Sequence, residues 1–342
     1  QSLGKLYVKS LPNGNPRRLT SSPDGVRELF PSWSKDGRQL VYVEWTDDAL
    51  GQLKVMDAAG GNSRTVTKRP GHYSNPSFSP DGRMIAFQRG GGGYLLSDLW
   101  SDETGIYTID ASGGDQSLVS RSGYAPMFAD RNDRIYFAKR EQGGSSFASM
   151  NLTGGDERIH SKADLVVEWK VAPDGKHVAF RDNYAAYVTP LLPGPQAVGA
   201  GKSGSSLPVV KASEGGATYF SWSDNSQQLN WTLGPDLFSA SLDDMFRQAP
   251  ADEDPEKFAP PTEGVSLAMQ ANADKPDLSG PIVLSRWAIA PLSLSRTGLK
   301  CWISRARRLC LASSMRMRTG RLLIAASSRT RTGLPSRTLL LV

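Results

Sequence analysis

"PSFSPDGRMIAFQ", from Pro76 to Gln88, packs three structural instructions into thirteen residues. A short apolar segment ends at Phe78. Asp81-Gly82 follows, where glycine accepts a positive φ and the aspartate side chain can cap the turn. Ile85 and Phe87 then alternate with polar neighbours, the period of a strand with one buried face. The stretch reads as a strand, a tight turn and a second strand.

The same pattern recurs along the chain. "PSWSKDGRQLVYV" begins at Pro31, "PMFADRNDRIYFA" at Pro126, "WKVAPDGKHVAFR" at Trp169 and "FSWSDNSQQLNWT" at Phe220. Their aligned core positions are Trp33, Phe78, Phe128, Val171 and Trp222, spaced by 45, 50, 43 and 51 residues. Between them lie second hairpins with glycine at the turn: "LKVMDAAGGNSRTV", "IYTIDASGGDQSLV" and "FASMNLTGGDERIH". Four strands in each repeat of this length are the signature of a β-propeller blade. The expected fold class is therefore all-β, a propeller of four-stranded blades. "KLYVKSLPNGNPRRLT" (Lys5 to Thr20) reads as the outer half of a further blade, and "DLFSASL" (Asp236 to Leu242) as an outer strand of the fifth. About five and a half blades are expected. A blade cannot bury both of its faces alone, so an incomplete ring is expected to leave apolar surface at its ends.

Composition divides the chain in two. Among its 342 residues, 40 are Lys or Arg and 34 are Asp or Glu, a net charge of +6. From Leu278 onward there are eleven Arg, one Lys and no acid, so this tail carries +12 and residues 1–277 carry −6. A basic tail is commonly a nucleic-acid or lipid-binding arm. Here the arginines are scattered among Leu, Ile, Trp and Cys, and no nucleic-acid partner is expected. No run of eighteen apolar residues occurs, so no membrane span is expected. No signal peptide is visible and the first residue is Gln1, which suggests a fragment or a processed chain. Both cysteines, Cys301 and Cys310, fall in the tail, so neither disulfides nor a cysteine zinc site is expected in the body.

The repeats resemble TolB-like propellers, with their P-x-W-S-P-D-G-R-x-I-A-F inner strands. They resemble more closely the propeller that precedes the catalytic domain in a group of exported bacterial amidohydrolases. The stretches that carry this are "PGHYSNPSFSPDGR", "LLSDLWSDETGIY", "NLTGGDERIH" and "WSDNSQQLNWTLGPDLF", and the likeness covers residues 4–284. The resemblance implies a periplasmic or extracellular module that packs on a hydrolase domain and gates it. It also implies a parent enzyme that binds a divalent metal such as zinc. In such proteins "GPIVLSRW" (Gly280 to Trp287) would open the catalytic domain. The chain then divides into a propeller over residues 1–249, a proline- and acid-rich linker over 250–279, and a truncated start of the amidohydrolase domain over 280–342. A stand-alone periplasmic TolB-like module, with another protein as partner at the propeller face, is the alternative.

No catalytic residue is expected in this chain. An amidohydrolase metal site needs a His-x-His pair, two further histidines and carboxylate help, whereas His72, His160 and His177 are isolated in different blades. His160 and His177 are expected in loops or on solvent faces, and no cofactor is expected. His72 and Tyr73, in "RPGHYSNP", are candidates for lining the axial mouth. "RGGGGYLLSDLW" (Arg89 to Trp100) is a candidate binding lip, so His72, Tyr73, Arg89 and Trp100 form the expected ligand or gating set. "VGAGKSG" (Val198 to Gly204) lacks the glycine of a phosphate loop, where Gln196 stands, and reads as a loop between strands. No G-x-S-x-G occurs.

"SSMRMRTG" (Ser313 to Gly320) fits neither a half-buried strand nor an amphipathic helix. Read one base out of frame, with suitable arginine and serine codons, Cys301 to Gly320 becomes a strand ending in Asp-x-His-x-His. That looks like the amidohydrolase metal pair. The tail is therefore expected to be a frameshifted translation without an evolved fold.

Overall fold

The computed structural model describes residues 1–91, 103–198, 207–247 and 258–267, and the backbone of short strand pairs between 294 and 341. Contacts divide the chain into two units, Gln1–Met269 and Gln270–Val342. In the first unit β1 (Tyr7–Val8) and β2 (Arg17–Arg18) form a lone hairpin. The first blade is β3 (Arg27–Trp33), β4 (Gln39–Thr46), β5 (Leu50–Asp57) and β6 (Ser63–Thr65). The second is β7 (His72–Phe78), β8 (Met84–Gly90), β9 (Gly105–Asp110) and β10 (Ser117–Ser120). The third is β11 (Tyr124–Met127), β12 (Arg134–Glu141), β13 (Gly144–Asn151) and β14 (Arg158–Ala163). The fourth is β15 (Val166–Val171), β16 (His177–Asp182) and β17 (Ala185–Pro190), after which β18 (Gln196–Ala197) pairs parallel with β14 and β19 (Val210–Lys211) completes the blade. The fifth is β20 (Thr218–Trp222), β21 (Gln228–Leu233) and β22 (Asp236–Ser241), then the one-turn helix α1 (Leu242–Met245) and β23 (Val265–Ser266). This is the expected all-β propeller of four-stranded blades, preceded by the outer half of another.

Val265–Ser266 lies inside the stretch read as linker, yet it pairs with Asp236–Leu237 as the fourth strand of the fifth blade. Its neighbours are mostly Pro, Thr and Glu, which hid a two-residue strand. Residues 248–257 and 268–279 lie outside the described residues. So does the tail, apart from three short antiparallel pairings, such as Ile324–Ala326 with Leu339–Leu341. No helix among the described residues is long and apolar enough to cross a membrane.

Alternation along each strand builds the core between blades. Val41, Val43, Leu53 and Val55 of the first blade meet Tyr73, Phe78, Ile85 and Phe87 of the second. Ile106 and Val119 meet Phe128, Ile135 and Phe137. Tyr136 and Phe147 meet Trp169, Val178 and Phe180. Val188 meets Phe220, Leu229 and Trp231.

The first strands of the blades pack on one another across blade boundaries, β3 on β7, β7 on β11 and β15 on β20. They are the inner strands, and in four blades they carry the same irregularity. Phe30–Pro31 stands opposite Tyr42, Asn75–Pro76 opposite Phe87, Ala125–Pro126 opposite Phe137, and Tyr219–Phe220 opposite Trp231. The leading residue of each pair has a φ of 49–53°. A bulge leaves a backbone N–H out of the ladder, so it is where a strand tolerates the proline repeated in these motifs.

The Asp-Gly turns share one hydrogen-bond pattern. Ser79 Oγ donates to Asp81 Oδ1 at 2.6 Å, Asp81 Oδ1 accepts from Arg83 N at 3.1 Å, and Ser79 Oγ accepts from Met84 N at 2.9 Å. Ser34 and Asp36 repeat it, and so do Ser223 and Asn225. The serine hydroxyl, more than any other neighbour, holds the Asp36 and Asp81 carboxyls below their ordinary pKa. Their contribution is complete above the unfolded carboxylate value and is lost as pH falls through the lowered one. Asp81→Ala removes two hydrogen bonds from a solvent-screened site and is expected to cost about 1 kcal/mol. Urea unfolding of the variant beside the wild type at neutral pH measures it, and the difference should narrow in acid.

Glycine turns fasten each blade to the one before. Gly61 N donates to Leu19 O at 3.2 Å, and Gly114 N to Val66 O at 3.4 Å. Gly154, at φ +79°, sits so close to Val119 that a Cβ there would lie 2.1 Å from its carbonyl oxygen. Leu19 and Val66, just past β2 and β6, and Val119 within β10 are all buried.

The two ends of the stack differ from the expectation of exposed apolar surface. At the first blade Leu40, Tyr42 and Met56 are covered by Leu6 and Leu19 of the hairpin. At the fifth, the face turned away from the fourth blade carries Thr218, Ser221, Gln228, Asn230, Thr232 and Ser239. There Ser239 Oγ donates to Asn230 Oδ1 at 2.6 Å, and the Thr218 and Thr232 hydroxyls lie 3.0 Å apart. Leu229 and Trp231 point inward, and on the outer face only Leu237 and Val265, paired beside Thr232, interrupt the polar side chains, so the stack stops on a mostly water-compatible face. Trp33 on the first blade remains half-exposed. Lys9 Nζ reaches Ser266 O at 2.7 Å, which brings the hairpin beside the outer strand of the fifth blade.

Candidate functional site

The inner strands begin, and the central hairpins turn, at one end of the propeller. The register places the start of β7, the end of β8, the β16–β17 turn and the β21–β22 turn together at that end. His72 pairs with Gly90 at the entry to β7, and its ring lies 5.0 Å from that of Trp45 on the first blade. Tyr73 pairs with Arg89. Its ring is buried edge-on against Phe87 at 5.4 Å, and its hydroxyl donates to Arg69 O at 2.8 Å and accepts from Gln116 Nε2 at 2.7 Å. The Arg89 guanidinium lies 5.8 Å from the Tyr73 ring centre and is ion-paired with Glu103. The structure thus brings Tyr73 and Arg89 together as a braced wall, with His72 beside them facing Trp45. Trp100 lies outside the described residues.

The other two histidines are not where the sequence suggested. His160 is buried on β14, and His177 is half-buried on β16 with its ring 5.6 Å from Phe246. Burial, first among the causes, lowers the pKa of each. His177 stands at the first position of β16 and His160 at a bulge of β14, places that a lone polar letter concealed. Among the described residues no three His, Cys, Asp or Glu side chains could share a metal ion. The three histidines, on three different blades, do not fit the metal set of an amidohydrolase.

Sequence reasoning missed an apolar patch at the same end of the fourth and fifth blades. Asn183 and Tyr184 have φ of 45° and 75°, the left-handed pair of a two-residue hairpin turn, and Tyr184 is left 83 % exposed. Tyr219, the bulge residue of β20, is 85 % exposed. Ala217 N donates to Tyr184 O at 2.7 Å, and Arg181 bridges the blades through Ala217 O at 3.4 Å and Glu168 at 3.4 Å. Leu165, Val167 and Leu233, all exposed, share this end. The signal was available: Tyr219 occupies the position held by Phe30, Asn75 and Ala125 ahead of their prolines.

Five blades built on one repeated turn and one repeated bulge define a β-propeller. The family model described as "TolB beta propeller domain" matches residues 1–224, and the chain belongs to that family. The Tol-Pal system protein TolB of Francisella tularensis subsp. mediasiatica is 33 % identical over 155 residues, 44 % of this chain and 34 % of that protein. The chain therefore spans about a third of the length of the curated relatives it matches. An uncharacterized peptidase, YuxL of Bacillus subtilis, is 39 % identical over 59 residues, 17 % of this chain and 9 % of the peptidase. The crystal structure of TolB from Acinetobacter baumannii superposes with a TM-score of 0.53 at 19 % identity, over 70 % of this chain and 57 % of that one, a likeness of fold.

Proposed function

We propose that this propeller is a protein-binding module of an exported bacterial hydrolase, and that its partner is a metal-dependent amidohydrolase domain. The observation that carries this reading is the pair of tyrosines, Tyr184 and Tyr219, held almost fully in solvent by a hairpin turn and a bulge. Tyrosine supplies a large, stiff contact surface with a polar tip, the chemistry enriched at the centres of protein interfaces. The hairpin turn and the bulge fix the backbone from which both rings project, which lowers the ordering cost of binding. His72 and Arg89 share the same end and would form the gating side of the contact. In this reading the module does no chemistry. The divalent metal belongs to the partner domain, and residues 280–342 are the out-of-frame remnant of that domain's start.

The propeller segment shared with a named peptidase supports the joining of such blades to a hydrolase. The TolB relatives support the second reading, a stand-alone module of the periplasm. The test uses the amidohydrolase domain made from the gene with its frame restored. Changing both Tyr184 and Tyr219 to alanine should weaken its binding about a hundredfold by calorimetry, with an unchanged melting temperature because both rings are exposed. Unchanged affinity removes the patch from the interface. A nucleotide sequence whose other frame lacks the His-x-His codons removes the amidohydrolase and leaves the second reading.

A further inference from the structure

The ends of the outer strands align as "RRLT", "RTVT", "SLVS" and "RIHS", which sets His160 where the preceding units hold Leu19, Val66 and Val119. The backbone agrees. On β10 the ladder skips Val119 between Leu118 and Ser120, and on β14 it skips His160 between Ile159 and Ser161. At the first three positions the next unit's glycine turn closes over an apolar side chain. At the fourth the turn is replaced by residues 191–198, whose β18 pairs with Ser161 and Lys162 and whose Val198 N donates to Lys162 O at 2.9 Å.

We propose that His160 makes this junction between the third and fourth blades acid-sensitive: protonation of its ring loosens the hold of β18 on β14 and releases residues 191–198. The surroundings suit a neutral imidazole. Ser149 Oγ lies 2.8 Å from His160 Nε2 and accepts from Arg134 Nη1 at 2.8 Å. Tyr136 and Phe147 flank the ring at 5.6 and 6.2 Å. The charged groups facing it are Arg134 from β12 and Arg158 from β14, and Asp156 is already committed to both. The covering segment, Leu191 to Val198, contains no titratable residue. A charged ring in this buried, aromatic-lined place therefore meets two guanidinium groups and no free carboxylate, with only the Ser149 hydroxyl and the Leu192 backbone to set against them.

The sign follows from the lowered pKa of a buried base. The unfolded or opened chain binds the proton more readily, so the contact is at full strength above the ordinary histidine value. It weakens as pH falls below that value toward the lowered one.

Amide hydrogen exchange on the full chain tests this, with rates corrected for the intrinsic effect of pH. Protection over residues 191–198 should fall severalfold between about pH 7.5 and about pH 5.5, while Gly60–Gly61 and Gly113–Gly114 hold theirs. His160→Leu, which restores the residue type of the other units, should abolish the fall with His72 and His177 still present. His160→Gln, polar but not titratable, should do the same if the leucine variant folds poorly. Constant protection of 191–198 in the wild type overturns the proposal. So does an equal loss in either variant.

Discussion

Trp169→Ala is expected to destabilise the protein by about 4 kcal/mol, near the upper end for removal of a buried aromatic. Trp169 is buried at the start of the fourth blade, stacked on Phe147 at 5.6 Å and tilted against Phe180 at 5.4 Å. It therefore joins two blades through both faces of one ring. Its indole N–H donates to Ser145 Oγ at 3.2 Å, and that hydroxyl donates onward to Val166 O at 2.7 Å. Alanine leaves a cavity between close-packed sheets that cannot collapse without moving a strand. Trp169→Phe keeps the stacking and leaves Ser145 its bond to Val166, so about 1–2 kcal/mol is expected. Denaturant unfolding of the pair separates the two costs. A loss under about 1 kcal/mol for the alanine variant would mean that the blades do not depend on this ring.

Glu28→Ala should cost about 3 kcal/mol, and the loss should centre on the N-terminal hairpin. Glu28 has no solvent exposure. One carboxylate oxygen accepts from Leu6 N at 2.7 Å and the other from Ser22 Oγ at 2.5 Å. The same Ser22 hydroxyl accepts from Lys5 Nζ at 2.9 Å and from Arg18 Nη2 at 3.1 Å. One buried acid thus organises two cations and a backbone amide from the hairpin. Alanine strands the Leu6 amide and removes the only carboxylate of the group. Limited proteolysis should then cut between about Ser10 and Gly14 well before the five blades unfold. Simultaneous loss of the blades would show that the hairpin is a part of their core.

Most of the architecture could be read from repeated turns and alternation. Ser79, Asp81 and Gly82 announce their turn because each residue type has one local job there. The bulges were less visible, since Pro31, Pro76 and Pro126 mark a missing N–H only when the partner strand is known. The polar end was written in "QQLNWTL", where Leu229 and Trp231 alternate with Gln228, Asn230 and Thr232. It was overlooked because an incomplete ring was assumed to end as it begins. His160 was misplaced for want of alignment between outer strands, which carry weaker signals than inner ones. Of the candidate site, His72, Tyr73 and Arg89 could be picked out from the motif that opens β7, whereas the exposure of Tyr184 and Tyr219 comes from backbone conformations that their letters do not encode.

The unlike ends of the stack bear on self-association. Repeated units packed face to face could add copies head to tail, and such a contact does not close on itself, so it would grow as a filament. Here the leading face is occupied by the hairpin, and the trailing face offers hydroxyl and amide groups already bonded to one another. A second molecule arriving at the trailing end meets mainly polar groups paired with one another, not a bare apolar face to extend. The serine, threonine and asparagine side chains of the last blade act as a terminator, and growth is halted by composition without any steric block.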